Sequence, residues 1–169
     1  MAMQNIKQLF QFELGDMYDA EQRIVQMLPQ MANECKDGQV KSALQHHEQE
    51  TRHQIQNLEQ CFQAIGTSPQ RNTCHAIAGL KQEHDTFLKE QPSENILTMF
   101  DLGGAAKTEH YEIASYRGLI EKANLMGEKD CVRLLQENLS QEEQMAQKVE
   151  QISRQLGKQL LQQQAGQPV

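Results

Sequence analysis

Four long stretches of this chain repeat apolar residues at intervals of three and four, and this periodicity constrains the fold more than any other feature. In the first stretch, for example, Leu14, Ile24 and Leu28 are separated by whole helical turns. Apolar residues with this spacing line one face of an α-helix, whereas a half-buried strand would alternate. The pattern predicts four long helices, at residues 5–35, 39–65, 94–126 and 128–161.

The connections between these helices predict how they are arranged. Short turns at residues 36–38 and at Gly127 make each pair of helices an antiparallel hairpin. Residues 70–92 form a longer connection with a short helix of their own, at residues 74–89. Two hairpins joined by one long crossover are typical of ferritin-like bundles. We therefore predict an all-α, ferritin-like four-helix bundle over residues 1–161, followed by a flexible tail at 162–169.

Charge and composition exclude several classes of protein. The formal net charge is −7, whereas a nucleic-acid-binding surface is normally basic. No apolar run approaches the roughly 18 residues of a membrane span, and residues 1–12 have no features of a secretory signal. The four cysteines form no CxxC pair, so we expect reduced thiols. The prediction is a cytoplasmic protein that binds neither nucleic acid nor membrane.

Each long helix also places a glutamate on its apolar stripe. Positions seven apart lie nearly in register on a helix, and one glutamate stands seven residues after Leu14 and seven before Leu28. The four glutamates are Glu21, Glu50, Glu109 and Glu142. Burial penalises an unpaired carboxylate, so four of them, on four helices, require a common source of positive charge. Divalent metal ions would supply it.

The neighbouring side chains agree with a metal site. The second helix carries Glu50-x-x-His53 and the third carries Glu109-x-x-Glu112, and residues three apart share a helix face. Di-iron and di-manganese bundles use such units, and oxygen and nitrogen ligands suit iron, manganese or zinc. If the helical phases are shifted by one residue, some of these glutamates face solvent instead. His47 either supports the site or is a hydrogen-bonded core histidine.

Several motifs, spread over nearly the whole chain, resemble those of one family. They lie at residues 18–22, 47–55, 74–80, 109–116 and 134–142. At these positions the chain resembles the YciE/YciF-type bacterial stress proteins, a branch of the ferritin-like superfamily. The most specific stretch, residues 109–116, reads EHYEIASY, and it is also similar to the Glu-x-x-Glu segment of rubrerythrins.

The resemblance implies two metal ions, with iron as the first candidate and manganese or zinc as alternatives. The ligands that it implies are Glu21, Glu50, His53, Glu109, Glu112 and Glu142. The chain departs from the family at one position, because Ala146 stands where the family commonly has aspartate, four residues after the glutamate of the fourth helix. One ion would therefore have fewer protein ligands than its counterpart in the family.

Three hypotheses for the function follow. In the first, the chain is a stress-associated di-metal protein that reacts with peroxide or dioxygen or oxidises Fe²⁺. In the second, the metal is structural and the bundle is not a catalyst. In the third, the bundle acts through partners without metal. Apolar residues beyond one stripe on each helix predict a homodimer, since large exposed apolar patches mark interfaces, and the resemblance also implies self-association.

Overall fold

The computed structural model describes residues 2–165 and confirms the predicted helices. The helices are α1 (Ile6–Glu34), α2 (Gly38–Ala64), α3 (His75–Phe87), α4 (Glu94–Met126) and α5 (Lys129–Ala165), with a 3₁₀ turn at Leu88–Glu90. Most boundaries agree with the sequence-based ones within one or two residues. Helix α5 is longer than predicted and continues to Ala165, and residues 166–169 of the predicted flexible tail lie outside the described residues.

Local capping determines where the two hairpins begin and turn. The Asn5 side chain accepts a hydrogen bond from Gln8 N at the start of α1, at 2.9 Å. The Asp37 carboxylate accepts hydrogen bonds from the backbone at the start of α2. These side chains satisfy N–H groups that the first helical turn leaves unpaired. Gly127 ends α4 with φ of 75°, a left-handed conformation that glycine adopts without strain.

The crossover between the hairpins is attached to α1 through Asp19. This carboxylate is buried, and it accepts hydrogen bonds from Cys74 N at 2.8 Å and Arg71 Nε at 2.9 Å. It also accepts one from Arg23 Nε within α1, at 2.5 Å. These positively charged and N–H partners hold the pKa of Asp19 below its usual value, against the effect of burial. Asp19 therefore fixes the start of α3 against α1.

The crossover approaches α1 so closely that a side chain at Gly15 would clash. Asn72 N donates to Gly15 O at 3.0 Å, and Asn72 Nδ2 donates to Phe12 O at 2.8 Å. A Cβ atom at Gly15 would lie 2.8 Å from Gln70 O and 2.7 Å from Asn72 Nδ2. The backbone of the crossover therefore requires glycine at this point of α1.

Two apolar clusters fill the bundle, one on each side of its middle. The larger cluster includes Phe10, Phe62 and Leu135, and the smaller one includes Leu102 and Val149. Helix α1 packs against α2 and α4 against α5, and the hairpins meet through α2 with α5 and α1 with α4. Between residues 2 and 165 the structure contains no strand, and no helix in that range is long and apolar enough to span a bilayer.

Candidate metal centre

A group of buried acidic side chains lies between the two apolar clusters, together with one histidine. One ligand atom of each of His47, Glu109, Glu112 and Glu142 lies within 4.8 Å of the corresponding atoms of the others. The four side chains come from α2, α4 and α5. All four are buried, and none is exposed by more than 4%. Three of the four were predicted as ligands, Glu109 and Glu142 from their position on an apolar stripe and Glu112 from the Glu-x-x-Glu unit and the family resemblance.

Glu21 on α1 adjoins this group. Its side chain is fully buried, and one of its oxygens accepts a hydrogen bond from the Tyr116 hydroxyl. The charges of Glu21 and Glu142 are close enough to raise the pKa values of neighbouring groups, Glu112 among them. The carboxylates of α1, α4 and α5 therefore form one electrostatic unit.

The buried atoms of this unit have too few hydrogen-bond partners. Within the part of the chain that the structure describes, the unpaired atoms are Glu21 Oε2, both imidazole nitrogens of His47, Glu109 Oε2, both carboxylate oxygens of Glu112, and Glu142 Oε2. Buried polar atoms in proteins are nearly always paired, and an unpaired buried carboxylate is costly. Oxygen and imidazole donors left free in one place fit divalent cations of the iron, manganese and zinc type.

Mutual repulsion and burial perturb the acidity of these groups strongly. Burial raises the pKa values of Glu21, Glu109 and Glu112 well above the ordinary carboxyl range, and neighbouring Glu142 raises all three further. Burial also raises the pKa of Glu142 to about 7. Without a cation, the protein therefore resists full ionisation of this cluster, as expected for like charges that share a dry site. A bound cation would reverse that preference.

His47 completes the cluster from the side of α2. Its Nε2 atom lies 3.3 Å from Glu109 Oε1, although the two atoms lack the geometry of a hydrogen bond. Burial, together with the charges of nearby His46 and Lys148, lowers the pKa of His47 to about 4. The imidazole is therefore neutral near pH 7, which is the form that binds metal. The alternative of a hydrogen-bonded core histidine does not fit, since both nitrogens are unpaired in the described structure.

Glu50 and His53, the two ligands predicted on α2, lie further from the cluster. Glu50 is half-buried, with Oε1 3.3 Å from His46 Nε2, and its charge still raises the pKa values of Glu109 and Glu142. The structure does not bring His53 to the cluster. Its side chain is 47% exposed, and Nε2 lies 2.9 Å from Glu137 Oε1. Six residues place His53 about 120° around the helix from His47, so only His47 faces inward.

A layer of buried amides connects the cluster to the larger apolar core. Gln54 Nε2 donates a hydrogen bond to Glu142. Asn138 Nδ2 donates to the Tyr116 hydroxyl at 3.0 Å, and Asn57 Nδ2 donates to Asn138 Oδ1 at 2.8 Å. These partners orient Glu142 and, through Tyr116, Glu21. Sequence reasoning did not assign any of the three amides to the site.

The fold and the site together define a class of protein. It is an all-helical bundle of two antiparallel hairpins with a long crossover, and a buried glutamate–histidine cluster able to bind metal lies at its middle, as in ferritin-like bundles. The chain belongs to the family described as a domain of unknown function, DUF892, whose model matches residues 5–162.

Relatives of known structure share this architecture. Protein YciF of Escherichia coli is 29% identical over 143 residues, which cover 84% of this chain and 86% of YciF. The crystal structure of the E. coli stress protein YciF superposes with a TM-score of 0.87 and covers 92% of this chain and 99% of that one. YcfI of Rhodopseudomonas palustris is 35% identical, with a TM-score of 0.84, and covers 87% of this chain and 94% of its own. The predicted resemblance to YciF-type proteins is confirmed.

Proposed function

We propose that this protein binds two metal ions, iron in the first instance, and reacts with peroxide or dioxygen or oxidises Fe²⁺. The observation that carries the proposal is the set of unpaired carboxylate oxygens on Glu21, Glu109, Glu112 and Glu142, all buried around His47. These five side chains would hold the ions, with Glu50 at the edge. Such ions supply Lewis acidity and, in the case of iron or manganese, a change of oxidation state. The association with stress is carried over from the name of YciF.

The residues of this chain would contribute positioning and proton control. Tyr116 and Gln54 hold Glu21 and Glu142 by hydrogen bonds, so these carboxylates do not have to reorganise when a cation binds. Burial excludes bulk water from the cluster, which strengthens its electrostatic interactions. Carboxyl groups with raised pKa values can accept or release protons near neutral pH. A cytoplasmic location stays a prediction.

The function is tested on purified protein loaded with Fe²⁺ and, separately, with Mn²⁺. We expect about two ions per chain by elemental analysis and consumption of added hydrogen peroxide over many equivalents. Glu112→Gln should abolish turnover, and Glu121→Gln, an exposed residue on the same helix, should leave it unchanged. Equal peroxide consumption by the wild type and Glu112→Gln would contradict the proposal.

A second candidate is a bundle in which the metal is structural. YcfI, a relative described as a candidate structural protein, favours it, and the complete burial of Glu21, Glu112 and Glu142 is compatible with a closed site. Tight metal binding without consumption of peroxide or dioxygen, and without Fe²⁺ oxidation, would select this function.

The ligand set predicted from the sequence includes His53, whereas the geometry supports His47 instead. Variants of these two histidines on α2 distinguish the two sets. His47→Ala should remove at least half of the bound metal, because it deletes a buried imidazole within the cluster. His53→Ala should change the stoichiometry little, because that imidazole is exposed and contacts Glu137. Elemental analysis of both variants decides between the residues. Metal loss in His53→Ala alone would restore the sequence-based assignment.

Ala146 marks the place where one ion should have a ligand missing. It is buried on α5, one turn after Glu142. Ala146→Asp should add a carboxylate and tighten the weaker ion by about tenfold or more, since the charge of the ligand set tunes metal affinity. Calorimetric metal titrations of the wild type, Ala146→Asp and the uncharged control Ala146→Asn measure the effect. Two equally tight ions in the wild type would contradict the prediction.

We also propose a homodimer. Large apolar side chains are exposed on the described surface, among them Ile6 at 47% and Phe12 at 51% on α1. Contact with a second copy would cover them. Light scattering at micromolar concentration should give twice the chain mass of 19.3 kDa, whereas a monomer mass would contradict the proposal.

A further inference from the structure

A cavity of about 300 Å³ extends from the glutamate–histidine cluster toward the turn between α1 and α2. His47 and Glu109 lie at its inner end, and α3 with the beginning of α4 lies at the other. Apolar side chains from all five helices form most of its wall, including Ile24, Leu28, Ala43, Ile77, Leu102 and Val149. The cavity therefore connects the candidate metal centre with the end of the bundle.

Small residues leave this space open. Ala43 on α2 and Ala105 and Gly104 on α4 line the cavity. A Cβ atom added at Gly104 would meet no other atom within 4 Å. Protein interiors are close-packed, and voids much larger than a water molecule are few. Larger apolar residues at these positions would fill the space beside the smaller apolar cluster. The unfilled space therefore indicates a binding site for a ligand.

The wall and the volume determine what the cavity can hold. Water is stable inside a protein only where several polar groups bind it, and apolar cavities take up apolar ligands instead. A cavity of about 150 Å³ holds benzene, so this one has room for about twelve non-hydrogen atoms. The lining residues extend over about two turns of α2, from Val40 to His47, and about three turns of α4, from Thr98 to Glu109, and this length suits an extended molecule better than a compact one. The occupant should be a flexible hydrocarbon chain.

In the metal-free protein, the inner end has buried polar atoms that an oxygen of the ligand would pair. Both imidazole nitrogens of His47 and Oε2 of Glu109 are buried and unpaired in the described structure. At the other end, His84 Nε2 lies 3.3 Å from Asp101 Oδ1 and 3.7 Å from Glu34 Oε2, so polar groups face each other there. Buried atoms without a hydrogen-bond partner therefore lie at both ends, His84 Nε2 and Asp101 Oδ1 among them, but only the inner histidine, His47, has both of its nitrogens unpaired.

We propose that this cavity binds an unbranched aliphatic molecule of about ten carbons with an oxygen-bearing end, such as an alcohol or a carboxylate. The oxygen lies at His47 and Glu109, and the hydrocarbon chain lies among Ile24, Leu102 and Val149. Its identity as the substrate of the metal centre rests on the proposed function. Its binding does not, because the apolar wall belongs to the protein itself.

Titration calorimetry of the full chain with 1-hexanol, 1-octanol, 1-decanol and decanoate tests the proposal, with and without Fe²⁺. Affinity should rise about fourfold for each added methylene up to ten carbons, and 1-tetradecanol should gain nothing more. Comparing decanol with decanoate identifies the preferred end group. Decanol should bind whether or not metal is present.

Two matched variants connect binding with the cavity. Ala105→Leu puts a larger side chain into the space and should weaken decanol binding at least tenfold. Ala114→Leu makes the same change on the exposed face of α4 and should have no effect. Ala43→Leu repeats the test from α2 if Ala105→Leu does not fold. Circular dichroism and metal content establish that each variant keeps the fold and the cluster.

The outcomes separate the two proposals. Metal binding and peroxide consumption without saturable decanol binding would overturn the cavity proposal and leave the proposed function standing. Chain-length-dependent binding that Ala105→Leu removes, in protein that binds no metal, would support the cavity and overturn the metal centre. Equal weakening by Ala105→Leu and Ala114→Leu, or no dependence on chain length, would also overturn the cavity proposal.

Discussion

Chelation of the bound metal is expected to lower the unfolding temperature of this protein by about 10 °C at neutral pH. A ligand present at about a thousand times its dissociation constant stabilises the native state by about 4 kcal/mol. For a chain of this size, each kcal/mol shifts the midpoint by roughly 2–4 °C. One tightly held ion is enough for the expected shift, and a second would increase it.

Removing the metal should lower the unfolding temperature because it leaves the buried carboxylates without a cation between them. Glu21, Glu109 and Glu112 are buried, and both burial and nearby Glu142 raise their pKa values. With a cation present, these groups are ionised and paired. Without it, they must either take up protons or repel one another across a dry site. The metal-free bundle therefore retains its two apolar clusters, but the glutamate–histidine cluster between them lowers its stability.

Calorimetric scans before and after treatment with a chelator, followed by re-addition of Fe²⁺, Mn²⁺ or Zn²⁺, measure this shift. Mg²⁺, which keeps several of its waters and prefers oxygen ligands alone, serves as the control and should restore less stability. The same midpoint before and after complete removal of metal, verified by elemental analysis, would contradict the prediction.

The sequence predicted the fold well because helical periodicity is a local property. The apolar stripes around Leu14 and Leu135 predict the helices that contain them, and the short turns predict that the helices pair into two antiparallel hairpins. Glu21, Glu109 and Glu142 were found because each interrupts an apolar stripe at a position in register with it. Burial in the structure agrees with that phase for all three.

The ligand set on α2 was less predictable. The Glu50-x-x-His53 motif lies at the border of the face that α2 turns toward the interior. His47, Thr51 and Gln54 lie at the centre of that face. Choosing between them requires the rotation of α2 about its axis to within about 60°. A sequence pattern rich in Gln and Glu does not determine that rotation closely, because few apolar residues mark the inward face there.

Features that depend on contacts between helices could not be predicted. The hydrogen bonds from Gln54 to Glu142 and from Asn138 to Tyr116 depend on how far each helix slides along its neighbour. The cavity is a similar case, because Ala43 and Ala105 would fit equally well in a closely packed core. That both residues line one open space depends on how α2 and α4 are placed in the bundle.

Replacing Glu112 with Gln should make the metal-free protein more stable while it removes metal binding. Glu112 is fully buried, and neither of its oxygens has a hydrogen-bond partner in the described residues. Leaving a buried charged group unpaired costs about 2 kcal/mol or more. Glutamine has nearly the same shape without the charge, and its amide can donate to the neighbouring carboxylates. We expect a rise of about 4–8 °C in the midpoint near pH 8.

The pH dependence gives this prediction a definite sign. The pKa of Glu112 is raised in the folded state, so its contribution to stability is present at low pH and lost as pH rises through the folded value. Metal-free wild type should therefore gain stability between about pH 8 and pH 5.5. His47 acts oppositely, because its pKa is lowered to about 4, but four carboxyl groups with raised pKa values outweigh one imidazole.

Chemical denaturation of metal-free wild type, Glu112→Gln and the exposed control Glu121→Gln at pH 8 and pH 5.5 tests the prediction. The advantage of Glu112→Gln should be largest at pH 8 and should shrink at pH 5.5, because the raised pKa of Glu112 favours its protonated form as the pH falls. Glu121→Gln should match the wild type at both pH values.

In the presence of Fe²⁺ the order of stability should reverse, because only the wild type gains stability from binding the ion. A variant that is less stable than the wild type without metal would show that Glu112 supports the fold through contacts other than a cation. A metal ligand is expected to lower the stability of the metal-free protein and to raise the stability of the metal-bound protein.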